Sequence, residues 1–101
     1  MPFSPIERPF DWAHVTATAQ IKTGPGMLHT ITINRGDPAA GRVVTIYDGV
    51  GVTADIIAII TLDTALFVIP TTLHFDCGFL AGLYAAFDGA VTLADLTVSY
   101  K

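Results

Sequence analysis

Hydrophobic and polar residues alternate strictly from Val15 onward, with Val15, Ala17, Ala19 and Ile21 on one side and Thr16, Thr18, Gln20 and Lys22 on the other. A period of two marks a strand with one covered face, so β structure is predicted over residues 15–22. Thr23-Gly24-Pro25-Gly26 then carries turn chemistry, because glycine accepts positive φ and proline removes a backbone donor. A second strand is predicted over 27–34, with Ile31 and Ile33 inward and Thr30 and Thr32 outward. A loop of Gly, Asp and Pro at 35–41 leads into a third, over 42–48.

Asp48-Gly49-Val50-Gly51 breaks that strand, and a run crowded with isoleucine follows over 54–62. Ile56, Ile57, Ile59 and Ile60 are all β-branched, which favours a strand buried on both faces. A helix over 54–66 competes with it, because a short apolar run does not fix its own period. Further strands are predicted over 66–69 and 72–77, separated by Pro70, and over 79–87 and 90–100 around an Asp88-Gly89 hairpin turn. Seven or eight strands at this spacing predict an all-β chain folded as a single antiparallel β-sandwich, jelly-roll-like in connectivity. Thirteen threonines suit the wet side of such sheets.

The first twelve residues break the pattern. Prolines at 2, 5 and 9 predict an extended arm over 1–12, ahead of a sandwich domain over 13–101. Phe3, Ile6, Phe10 and Trp12 are poor residues for a free tail in water, so they are expected to contact either their own domain or a neighbouring subunit.

Composition sharpens this expectation. Of the 101 residues 51% are hydrophobic and only 14% charged, against about 25% charged in an ordinary domain. A domain this small keeps much of its surface in water, so a shortage of charge implies that part of that surface is covered by another molecule. The net charge of −4 and the scattered Arg8, Lys22, Arg35, Arg42 and Lys101 make no basic patch for nucleic acid. The apolar stretch over 56–70 is interrupted by Asp63 and falls short of a membrane span, so no membrane is expected as a partner. The N-terminus lacks the basic start and apolar core of a secretory signal, which implies synthesis in a cytoplasm. Cys77 stands alone and forms no internal disulfide.

Candidate chemistry is thin. His14, His29 and His74 show no HxH or HxxxH spacing, and no cofactor or metal is implied. His74 and Asp76 share a strand face and are expected to pair, while Cys77 points to the opposite face as a small hydrophobe. Asp48, Asp55, Asp63, Asp88 and Asp95 read as residues of turns and strand ends, and no DxDxDG run suggests calcium. Arg35-Gly36-Asp37 matches the tripeptide read by integrins, but a loop connecting strands produces such residues unaided. Apart from His74 and Asp76, which read as an ordinary hydrogen-bonded pair, no acid and base can be placed together on one face, so an enzyme is not expected.

Lys22-Thr23-Gly24-Pro25-Gly26-Met27-Leu28-His29 with Thr30-Ile31-Thr32-Ile33-Asn34, then Val44-Thr45-Ile46-Tyr47-Asp48, Phe79-Leu80-Ala81-Gly82-Leu83-Tyr84 and the closing Leu96-Thr97-Val98-Ser99-Tyr100 resemble segments of small tailed-phage virion proteins. The resemblance spans residues 15–100. It implies a capsid decoration or cement subunit, or a tail-associated one, resident in the virion. Such a subunit would form a homo-oligomer, expected as a trimer, and bind the major capsid protein or another virion protein. Phe3, Ile6, Phe10 and Trp12 would then be contact residues. A different class of reading is a small binding module that presents Trp12, Tyr47 and Tyr84 to a host glycan or receptor.

Overall fold

The alternating segments assemble into two four-stranded sheets, seen in a computed structural model that describes residues 10–37, 41–63, 70–89, 91 and 93–101. The strands are β1 (Asp11–Val15), β2 (Ala19–Thr23), β3 (Gly26–Arg35), β4 (Val43–Asp48), β5 (Ile56–Thr61), β6 (Thr71–Phe79), β7 (Gly82–Phe87) and β8 (Asp95–Tyr100). One sheet has the order β1-β8-β3-β6 and the other β2-β7-β4-β5, with every pairing between strands antiparallel. Among the described residues only β4 and β5 are consecutive strands of one sheet. Each other connection carries the chain from one sheet to the other, which is the double Greek key of a jelly roll. The expected sandwich is therefore present, with eight strands among the described residues.

The core lies where the inward rows of the two sheets meet. Leu28, Ile31, Ile33, Leu96 and Val98 come from the first sheet and Val44, Ile46 and Leu83 from the second, and all eight are fully buried. Ile31 and Ile33 face inward as their alternation predicts. Leu28 also does so, although it is three residues from Ile31, because the register shifts on both sides of β3 between Leu28 and Thr30. That irregularity is a β-bulge, and Asp76 on the facing strand adopts a positive φ of 47° there.

Four expectations need correction. The alternation over 15–22 is not one strand: the chain bends between Val15 and Ala19, leaving the first sheet for the second. A strand that turns a sandwich corner keeps its period of two, so the pattern cannot show the corner. Thr18 secures the bend by accepting the Phe87 N–H at 3.0 Å. The isoleucine run is a strand and not a helix, but it is not buried on both faces. Among the described residues β5 is an edge strand of a two-layer sandwich, and in two layers only one face of a strand meets the core. Asp88-Gly89 does not close a hairpin, since β7 and β8 lie in different sheets and β8 begins only at Asp95. His74 does not pair with Asp76, whose carboxylate is bound by His29 Nδ1 across the strand pair. The strand expected over 66–69 lies outside the described residues.

Candidate functional site

The two outer faces of the sandwich differ in chemistry. On the second sheet Tyr47 of β4 stands opposite Tyr84 of β7, with ring centroids 6.3 Å apart, and Thr45 stands opposite Ala86 on one side and Ile59 on the other. Ile59 is 63% exposed and Ile56 51%, whereas Ile60 is buried against Val44. The outside of β4, β5 and β7 is therefore mostly aliphatic and aromatic. Its boundary strand β5 carries no charge and no proline, the usual protections of a sheet edge, whereas β2 at the opposite edge carries Lys22.

This apolar face continues onto one end of the molecule. The loop over 49–55 joins β4 to β5 and places Val50 and Val52 67% and 69% exposed, and Leu80, in the two-residue connection between β6 and β7, is 83% exposed. Asp48 fixes this end. Its carboxylate accepts the N–H of Leu80 at 3.0 Å and of Ala81 at 2.8 Å, and those two bonds, Ala81 first, hold its pKa below the usual aspartate range. Gln20 clamps the neighbouring loop: its amide donates to the carbonyls of Gly49, Lys22 and Leu83 and accepts the Gly51 N–H at 2.9 Å. Gly82 must be glycine in this arrangement, because a Cβ there would lie 2.7 Å from the Gly49 carbonyl oxygen and 2.8 Å from that of Lys22. An open cleft between Leu80, Ile56, Ile57 and Ala54 carries Asp48 and Asp55 in its walls.

The outside of the first sheet is polar and hydroxyl-rich, apart from Trp12 and from Phe10, which is stacked on His29. The strand registers align Trp12, Ser99, Thr30 and His74 in one row across β1, β8, β3 and β6, and His14, Thr97, Thr32 and Thr72 in the next. His14 Nε2 lies 2.6 Å from Asp95 Oδ1, and Asn34 Nδ2 donates to the same oxygen at 3.1 Å and to Thr97 Oγ1 at 2.9 Å. All three histidines are on this face. His29 is stacked on Phe10, 4.1 Å between centroids, and His74 meets its edge at 6.5 Å. Among the described residues no group of three His, Cys, Asp or Glu side chains is placed to hold a metal ion.

Of the four arm residues singled out in the sequence, Phe3 and Ile6 lie outside the described residues. Phe10 rests on His29 of its own domain, and Trp12 belongs to β1, where it is 63% exposed. Cys77 packs against the core on the side of β6 opposite His74 and Asp76. Asp37 is 3% exposed and its N–H bonds the Leu62 carbonyl, so Arg35-Gly36-Asp37 is not displayed as a recognition loop needs. The exposed Ile56, Ile59, Val50, Val52 and Leu80 were not foreseen. Their signal was present in the unbroken isoleucine pairs of β5, since a strand apolar on both sides needs two partners, one of them outside the sandwich.

Comparison of the chain with protein-family models, with curated proteins and with solved structures gives no match.

Proposed function

We propose that this chain is a non-catalytic structural subunit of a virion, of the capsid decoration or cement kind, that assembles with copies of itself and with a capsid or other virion protein. The observation that carries the reading is the apolar outer face of the second sheet, bounded by Ile56 and Ile59 on the unprotected edge strand β5. The jelly-roll strand order supports it by analogy alone, since viral capsid domains and lectins share that architecture.

Size limits how the face is used. Four strands about 4.8 Å apart and about six residues long give a projected footprint of about 300 Å². A standard interface buries about 800 Å² per partner. The sheet face must therefore act together with the adjoining Val50, Val52 and Leu80, or with the N-terminal arm. A cyclic trimer, in which each subunit offers two different surfaces to its neighbours, meets that need. A cement subunit stabilises a shell because it binds only the assembled form, and repeated weak contacts act together on a lattice.

Two experiments test the reading. Sedimentation velocity over a wide concentration range should show a species of three times 10.7 kDa, and a strictly monomeric chain at high concentration contradicts self-assembly. Co-sedimentation with purified phage particles should retain the protein, and loss of all of it to the supernatant contradicts the virion assignment.

A further inference from the structure

We infer that the outer face of the first sheet is a binding site for an unbranched, uncharged oligosaccharide that lies across the strands along the row Trp12, Ser99, Thr30 and His74. This goes beyond the assembly surface, which is on the opposite side of the sandwich.

Trp12 gives the first argument. Threonines, serine and histidines on an open sheet face need no ligand, because water satisfies them. Trp12 is 63% exposed among them, and Phe10, stacked on His29, is a second aromatic side chain on the same face, so among the described residues this face offers apolar rings set between hydroxyls. The axial C–H face of a sugar ring is apolar and stacks on an indole, while its equatorial hydroxyls radiate in the plane of the ring toward donors and acceptors alongside.

The surroundings of Trp12 supply those partners in fixed positions. Ser99 is its register partner, Thr30 lies beyond Ser99, and His14 stands two residues along β1 on the same face, about 7 Å away. Asn34, Asp95, His14 and Thr97 already hold one another through bonds of 2.6–3.1 Å, so their orientations are set before a ligand arrives. Pre-set polar groups lose little freedom on binding, which is the main cost in recognising a flexible, heavily hydrated chain.

The row also sets length and charge. From β1 to β6 it crosses three strand spacings, about 14 Å, with an aromatic ring at each end, Trp12 and His74, and hydroxyls between them. That is a groove-free track for several sugar units and too open for a small metabolite. Stacked nucleotides would also want aromatic rings, but a nucleic-acid track needs cationic side chains, and the charged groups here are Asp95 and Asp76, each matched by a histidine, His14 and His29. No lysine or arginine lies in the row, and each carboxylate is hydrogen-bonded by a histidine, so an uncharged ligand fits best.

Trp12 is the only tryptophan in the chain, so its fluorescence reports this site directly. The full chain is titrated with cello-, chito- and manno-hexaose and the matching disaccharides, with heparin hexasaccharide as a charged comparison. At least one neutral hexaose should give a saturable change, with tighter binding than its disaccharide. Calorimetry should then show affinity falling about tenfold or more in Trp12→Ala and in Asn34→Ala, whose circular dichroism stays that of the parent. Ile59→Lys should bind the sugar unchanged, which separates failure of this site from failure of the assembly surface. The inference is overturned by the absence of any saturable response to the neutral sugars, by a response to heparin alone, or by Trp12→Ala binding as tightly as the parent.

Discussion

Ile59 stands opposite Thr45 in the β4–β5 register and is 63% exposed, while its neighbour Ile60 is buried opposite Val44. One turn of the pleat thus separates a core residue from an apolar residue directed outward. Replacing the outward one with lysine removes an apolar contact from any interface and places a desolvated charge in it. Ile59→Lys should weaken self-association at least tenfold by sedimentation while leaving thermal unfolding of the subunit close to that of the parent. Unchanged association would remove this face from the account.

A residue that faces the core behaves oppositely. Ile46 is fully buried between the sheets, and Ile46→Ala deletes packed methyl groups and leaves a cavity, at a cost of about 2–5 kcal/mol. Ile59→Ala in dilute solution should stay within about 0.5 kcal/mol of the parent, as exposed positions do. Urea denaturation of both variants checks the contrast, and similar losses would mean that β5 is oriented otherwise than described.

Asp48 gives the fold a specific response to acid. Its pKa is lowered in the folded state by the Ala81 and Leu80 N–H groups, so the stability it contributes is present above the usual aspartate pKa and is lost as pH falls through the lowered value. Asp48→Asn should unfold at lower urea than the parent at neutral pH. The difference should close at acid pH, where the parent carboxyl is protonated as well. A gap independent of pH would show that the charge is not what binds the β6–β7 connection.

Much of this architecture is legible in the sequence, and the exceptions have physical causes. β3, β4 and β6 are marked by alternation that ends in turn residues, and Ile31, Ile33, Thr30 and Thr32 fall on the faces their pattern requires. Sheet membership is not encoded in a period of two: the corner between Val15 and Ala19 and the crossing after Asp88 look like a continuous strand and a hairpin until long-range pairing is known. The bulge opposite His29 re-aims Asp76 toward His29 and away from His74, and it leaves no mark in the pattern. Trp12 was singled out as an apolar residue of an arm. Its row with Ser99, Thr30 and His74 exists only because β8, β3 and β6 follow one another across the sheet from β1.

Hydrogen exchange of backbone amides, compared between dilute and concentrated protein, tests most directly whether association occurs where the sandwich is apolar outside. With assembly through the second sheet, the amides of β5 and of the 49–55 loop gain protection as concentration rises, while those of β1 and β6 do not change. Protection that is the same at every concentration, or that rises only on β1 and β6, contradicts it.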